Sequence, residues 1–170
     1  MNYQGNYFLI GPMGAGKTSV GRHLAKLIKL DFVDSDTEIE ARTGVDIAYI
    51  FEKEGEEGFR HREKKIIDEI SSREGVVLAT GGGAIMDVEN RRNLSSRGYV
   101  IYLYTNVKKQ VERVKKGRER PLLTNKDPEK ILKDLMEVRD PLYREIAESV
   151  ITTNGRHINS IAKEIFDTLK

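Results

Sequence analysis

The sequence contains no cysteine, which excludes disulfide staples and thiolate metal sites. It has no apolar run near the ~20 residues that a bilayer-spanning helix needs. The first six residues, Met1 to Asn6, are polar. They lack the basic start and apolar core of a secretion signal, so the expectation is a cytoplasmic protein that does not meet a membrane. An excess of one charge is also missing. Lys and Arg number 29 against 27 Asp and Glu, for a net charge of +2, and bulk charge therefore does not suggest a nucleic-acid partner. The three histidines, His23, His61 and His157, show no metal-ligand spacing and are expected at the surface.

What is present fits one folded domain spanning residues 1–170. At 170 residues, with 38% hydrophobic and 33% charged, the chain is long enough to bury a core of its own and well solvated outside it. No long exposed apolar stripe calls for a partner, so a monomer is expected. Charge is uneven along the chain: residues 108–120 carry seven basic and two acidic side chains. Two readings of that segment stand, a solvated helix face with a basic end or a surface that meets a polyanion such as ATP.

Short β-branched or aromatic runs alternate with amphipathic stretches. Strands are expected at Tyr7–Ile10, Phe32–Val33, Val76–Ala79, Val100–Tyr104 and Val150–Thr152. Helices are expected at Thr18–Lys29, with Val20, Leu24, Leu27 and Ile28 on its inner face, and at Asp36–Arg42, Ile47–Lys53, Gly58–Ser72, Asp87–Arg97, Val107–Lys115, Pro128–Glu148 and Ile158–Leu169. Pro141 should break or kink the helix that contains it. This alternation argues for an α/β layer structure around a mainly parallel sheet. Ligands of such sheets bind beyond the carboxyl ends of the strands, where two glycine-rich segments fall.

The first is Gly11-Pro12-Met13-Gly14-Ala15-Gly16-Lys17-Thr18, a match to G-x-x-x-x-G-K-[ST] between a strand and a helix. Glycines let backbone N–H groups turn inward around phosphate oxygens, and the helix start adds unpaired N–H groups and the positive end of its dipole. Lys17 can reach the β- and γ-phosphates and the Thr18 hydroxyl can ligate Mg²⁺. Gly14 through Ser19 are the expected nucleotide contacts. The pattern is shared by kinases, GTPases, motors and regulators, so it does not identify an acceptor.

Further segments are Phe32-Val33-Asp34-Ser35-Asp36, Phe59-Arg60-His61-Arg62-Glu63, Gly81-Gly82-Gly83-Ala84, Arg120-Pro121-Leu122-Leu123 and Arg139-Asp140-Pro141-Leu142-Tyr143. In this order around the phosphate loop, and over nearly the whole chain, the sequence resembles the shikimate kinases. The resemblance implies ATP-dependent phosphorylation of the shikimate 3-hydroxyl, in the pathway to chorismate and the aromatic amino acids, with ATP and shikimate as partners and Mg²⁺ as cofactor. It implies the nucleoside monophosphate kinase fold, a P-loop kinase architecture of three layers with a five-stranded parallel sheet between helices. A substrate-binding region at about 34–63 and a mobile lid at about 116–126 complete that fold.

By the same resemblance Asp34 lies near Mg²⁺ through water and Asp36 meets the substrate hydroxyl as candidate base. As residues two apart on an extended segment they would point the same way, and either can instead cap the helix that follows. Arg60 and Arg139 are the implied carboxylate clamp, since a planar guanidinium gives a carboxylate two parallel hydrogen bonds. Glu63, three residues on, can hold Arg60 in place, although an isolated pair of this kind reads as an ordinary surface ion pair. Gly81, Gly82 and Gly83 allow close backbone approach to shikimate; a tight turn would need them equally. Phe51 and Phe59 serve either as a wall for the shikimate ring or as core. Arg120 is the implied lid arginine over the transferring phosphoryl group, and Arg113 and Arg156 match positions flanking the adenine. Two other readings remain, a kinase for another small metabolite such as gluconate, and a nucleotide-dependent binding module without a small acceptor.

Overall fold

The computed structural model describes residues 4–116 and 127–170; the expected lid, with Arg120, lies outside the described residues. Five strands, β1 (Tyr7–Ile10), β2 (Asp31–Asp34), β3 (Val76–Ala79), β4 (Tyr99–Tyr104) and β5 (Ser149–Thr152), form one sheet in the order β2-β3-β1-β4-β5. All four pairings are parallel. The helices are α1 (Lys17–Ile28), α2 (Ser35–Thr43), α3 (Ile47–Ser71), α4 (Val88–Arg97), α5 (Val107–Lys116), α6 (Pro128–Ile146) and α7 (Ile158–Thr168), with a short 3₁₀ turn at Ala84–Met86.

The period-2 alternation of strand side chains divides the core. Phe8, Ile10, Leu78, Val100 and Tyr102 face one layer, with Ile67 and Ile70 of α3, Leu94 of α4 and Tyr143 of α6. Tyr7, Leu9, Val77, Ile101 and Leu103 face the other, with Val20, Leu24 and Ile28 of α1 and Ile161 and Ile165 of α7. The central strands β1 and β3 are buried along their whole length, as expected for a sheet covered on both faces. The chain leaves β1 toward the α1 layer and leaves β3 toward the α4 layer. A crevice therefore opens between the carboxyl ends of these two neighbouring strands, the place where such sheets bind ligands.

Several expectations shift in detail. Leu27 is 38% exposed; Gly21 and Ala25 take the core-facing positions of α1. A Cβ at Gly21 would stand 2.6 Å from the Phe32 ring and 2.8 Å from Leu9, so the packing of α1 on the sheet depends on its absence. The two short helices at 47–53 and 58–72 run together as α3, and the interruption is concentrated at Gly55, whose φ of 72° and ψ of −179° are non-helical. Pro141 sits inside α6 without ending it. That helix stops at Ile146, before Glu148, because the Glu148 N–H donates to Val100 O at 2.9 Å and leads into β5. Of the histidines, His61 and His157 are exposed and His23 is half-buried.

Candidate active site

The loop between β1 and α1 is built by backbone geometry. Gly14 and Gly16 take φ of 83° and 90°, left-handed values that cost a residue with a Cβ. These turns bring Gly14, Gly16, Lys17, Thr18 and Ser19 to the wall of a cavity of about 260 Å³. Ala15 is the exception among the expected contacts: its side chain is buried in the core under α1, and its N–H donates to Pro12 O at 3.3 Å. Lys17 is nine-tenths buried and its Nζ donates to the carbonyls of Gly11 (2.7 Å) and Pro12 (2.9 Å). Its ammonium is thus held at the loop by the loop's own carbonyls.

The far wall of the cavity comes from β2, α2 and the turn after β3, through Asp34, Asp36, Thr80, Gly81 and Gly82. Thr80 fastens the two strand ends together: both its N–H and its hydroxyl donate to Leu9 O, each at 3.1 Å. Asp34 is the N-cap of α2, with Oδ1 accepting from Thr37 N at 3.0 Å, while Oδ2 accepts from the Thr18 hydroxyl at 2.5 Å. One carboxylate therefore caps a helix and meets the cradle at once. The extended geometry expected for the aspartate pair is corrected here. Asp36 already lies in the first turn of α2, and the two carboxylates reach one cavity because the chain turns between them.

A second cavity of about 80 Å³ adjoins the first. Met13, Asp36, Gly81 and Gly82 line both, so the two form a continuous cleft. Phe51, Phe59 and Ile47 give it an apolar side, and Arg60, Glu63 and Arg139 a charged one. The two phenylalanine rings pack at 5.0 Å between centroids; Phe59 belongs to the core and Phe51 rests against it, so core and wall are the same residues. The glycines admit the charged side chains. A Cβ at Gly83 would lie 2.3 Å from Arg60 Nη2, and one at Gly81 2.9 Å from both Asp36 Oδ1 and Glu63 Oε2.

Burial distinguishes these charges from a surface ion pair. Glu63 is 1% exposed, and its Oε1 accepts from Arg60 Nη1 at 2.9 Å. Burial pushes the Glu63 carboxyl up to about 7, against the pull of Arg60. Burial also opposes the charge of Arg60, but the carboxylates of Glu63 and Glu56 outweigh it and raise its pKa. Arg139 is only 5% exposed. Burial depresses its pKa, and the neighbouring Arg60 cation adds to the effect. Its Nε is buried with no hydrogen-bond partner among the described residues. Arg60 is paired with Glu63 and, on its exposed side, with Glu56, whereas the buried Arg139 has no carboxylate of its own among the described residues, so the two guanidiniums facing one small pocket leave room for an incoming anion.

Arg113 of α5 also lines the larger cavity, and its Nη1 stands 3.0 Å from where a Cβ of Gly16 would be. Arg156 does not line that cavity. Its guanidinium donates to Thr152 O at 2.9 Å and pairs with Glu164 at 2.6 Å. Among the described residues no group of three or more His, Cys, Asp or Glu is placed to hold a metal. Met13 and Thr80 were not singled out by sequence reasoning. The signal for Met13 lies in the loop motif itself, where a variable position between the glycines must face something.

Comparison with known proteins gives a consistent result. The family model described as Shikimate kinase matches residues 13–170. A shikimate kinase from Pasteurella multocida is 53% identical over 165 residues, covering 96% of this chain and 94% of that protein. One from Alteromonas mediterranea is 51% identical over 164 residues, covering 96% of each. The solved shikimate kinase of Acinetobacter baumannii, in complex with shikimate, superposes with a TM-score of 0.96 at 51% identity, covering 99% of this chain and 94% of that one. A gluconokinase from Sinorhizobium meliloti shares the fold alone, with a TM-score of 0.62 at 16% identity.

Proposed function

Because the chain belongs to the shikimate kinase family, we propose that it transfers the γ-phosphoryl group of ATP to the 3-hydroxyl of shikimate. The products are shikimate 3-phosphate and ADP, on the route to chorismate and the aromatic amino acids. The observation that carries this reading is the pocket holding Arg60 and the buried, under-satisfied Arg139. It opens directly into the phosphate-loop cavity through Met13, Asp36, Gly81 and Gly82.

In this reading the loop from Gly14 to Ser19 wraps the phosphates with backbone N–H groups. Lys17 exchanges the Gly11 and Pro12 carbonyls for β- and γ-phosphate oxygens. Arg60 and Arg139 hold the shikimate carboxylate, and the three glycines let its ring lie against the backbone. The carboxylate of Asp36, at the junction of the two cavities, orients the 3-hydroxyl and receives its proton as that oxygen bonds to the γ-phosphorus and the bond to ADP breaks. A loose phosphoryl-transfer transition state asks little base strength of it. Arg113 flanks the adenine, as does Arg156 once it leaves Glu164. Arg120 closes over the phosphoryl group with the lid.

Mg²⁺ suits the Thr18 and Asp34 oxygens, which meet beside the cradle. It is usually held by one or two protein oxygens together with water and substrate phosphate, in keeping with the small donor set here. When bound, it neutralises charge on the phosphates. The reading also takes the chain as a single-domain monomer of the cytoplasm. Its support is one sheet with one core layer on each face, and no helix among the described residues long and apolar enough to cross a membrane.

The test is ADP release with ATP, Mg²⁺ and a panel of polyols and hydroxy acids. Turnover should require shikimate. Background rates with shikimate and turnover with gluconate would overturn the reading, and hydrolysis that ignores every acceptor would indicate a nucleotide-dependent binding module instead. Gel filtration checks the monomer.

A further inference from the structure

Tyr143 lies one helical turn beyond Arg139 on α6 and therefore on the same face of that helix. It is 1% exposed. Its hydroxyl donates to Gly82 O at 2.6 Å, across 61 residues of sequence. Its ring packs against Tyr102 of β4, with centroids 4.8 Å apart. Tyr102 in turn donates to Asp140 Oδ1 at 2.6 Å, and Asp140 accepts from Arg144 Nε at 2.9 Å. The ring of Tyr143 is thus fixed from α6 and β4, while its hydroxyl reaches a third element, the glycine turn after β3. On either side of Gly82 that turn is held by other bonds: Gly81 N donates to Ser35 Oγ at 3.2 Å, and the carbonyls of Gly81 and Gly83 accept from Ala84 N (3.2 Å) and Met86 N (3.1 Å), which leaves the Gly82 carbonyl to the Tyr143 hydroxyl. Gly82 lines both halves of the cleft, and a Cβ there would be 3.5 Å from Arg139 Nη1 and 3.3 Å from the backbone nitrogen of Met13.

We propose that Tyr143 is a positioning residue for the acceptor, tying the carbonyl of Gly82 to the helix that carries Arg139 so that turn and guanidinium hold one fixed spacing. Without the phenol, the Gly82 carbonyl would lose its bond to α6, and its peptide could tilt between the fixed carbonyls of Gly81 and Gly83. Arg139 would then face a turn of variable height. Burial pushes the phenol well above the ordinary tyrosine range, so it remains a donor throughout the working pH range. The inference rests on the assignment of Arg139 and the glycine turn to shikimate binding.

The experiment measures KM for shikimate and for ATP separately in the wild type and in Tyr143→Phe, which keeps the ring and its stack on Tyr102. The shikimate KM should rise by about tenfold, as when a buried hydrogen bond is lost and its acceptor is left unpaired. The ATP KM should stay within about twofold, and in a double-mutant cycle with Arg139→Lys the two effects should be clearly less than multiplicative. Tyr102→Phe removes the Asp140 bond but leaves the one to Gly82. It should lower Tm with an unchanged shikimate KM. An unchanged shikimate KM in Tyr143→Phe, or an equal rise in both KM values, overturns the proposal. A fluorinated tyrosine at 143, isosteric and a stronger donor, keeps the test open if the phenylalanine variant does not fold. It should hold the shikimate KM at or below the wild-type value, and a rise would count against the proposal. Wild-type enzyme that fails to turn over shikimate refutes the underlying assignment instead, so the two failures are distinct.

Discussion

The two halves of the cleft are made of different materials. The cradle of the phosphate half is mostly backbone, left-handed glycines, a helix start and one lysine from a single continuous loop, and it is faced by Asp34, Asp36, Thr80 and Arg113 from other elements. The acceptor half is mostly side chain, assembled from α2, α3, the turn after β3 and α6, which are distant in sequence. A site of the first kind is positioned as soon as β1 and α1 form. A site of the second kind depends on the whole α3–α4–α6 layer packing correctly. Its charges hold one another at the right spacing, as Glu63 holds Arg60 and the Tyr143 phenol holds Gly82.

If this division is right, damage to the two halves should separate kinetically. Lys17→Ala should have the largest effect, lowering turnover by at least about 10²- to 10³-fold, as removal of a group aimed at transition-state charge does, with shikimate affinity little changed. Near-normal ADP release by that variant would remove Lys17 from the phosphates. Arg139→Lys comes next. A buried guanidinium replaced by a point charge loses its paired geometry, and truncating one side of a buried charge pair costs about 2–5 kcal/mol. Shikimate KM should rise at least tenfold at that cost, while ATP KM holds; equal effects on both substrates would dissolve the distinction. Gly83→Ala tests the same clamp from the turn: its methyl group would stand within 2.7 Å of three guanidinium atoms of Arg60 and push it off Glu63, so shikimate KM should rise by about as much as in Arg139→Lys, and an unchanged KM would remove Arg60 from the clamp.

Glu63 sharpens the comparison through pH. Its carboxyl titrates near 7 in the folded protein, above the ordinary glutamate value of ~4.3. Between these values the native state binds the extra proton, so its contribution to stability is present at low pH and falls as pH rises toward 7. A shikimate carboxylate arriving at Arg60 and Arg139 adds negative charge beside Glu63 and Asp36, which favours the protonated carboxyl. Shikimate affinity should therefore weaken as pH climbs from 6 to 8, and ATP affinity should show no matching loss. In Glu63→Gln the slope should flatten; a slope that persists would assign it to another group.

The same division explains how much of the site was legible in the sequence. The phosphate loop was the most legible part, because its geometry is dictated by glycine spacing within eight consecutive residues, but the spacing does not show that Ala15 turns into the core and Met13 toward the cavity. The central strands could be read because fully buried β1 and β3 are short apolar runs, closed by Gly11 directly and by Gly81 one residue on. Arg60 with Glu63 was visible as an i,i+3 pair, but its burial was not, since that depends on the Gly81–Gly83 turn closing over it. The Asp34 cap on α2 is local and was open to sequence reading, but nothing local shows that Tyr143 reaches Gly82 across 61 residues or that Asp34 meets Thr18. Those contacts are products of the sheet order, which puts β3 between β2 and β1. Leu27 was misassigned for a related reason: helix periodicity cannot tell which apolar residue yields to a glycine that lets the helix approach Phe32.

The most direct test of the two-guanidinium pocket is calorimetric titration of the wild-type enzyme with shikimate and with shikimate methyl ester, which keeps every hydroxyl and loses only the carboxylate charge. Shikimate should bind at least about tenfold more tightly than the ester, as expected for loss of a buried charge-assisted pair, and Arg139→Lys should narrow the gap. Equal affinity for acid and ester would contradict the assignment of Arg60 and Arg139 to the acceptor.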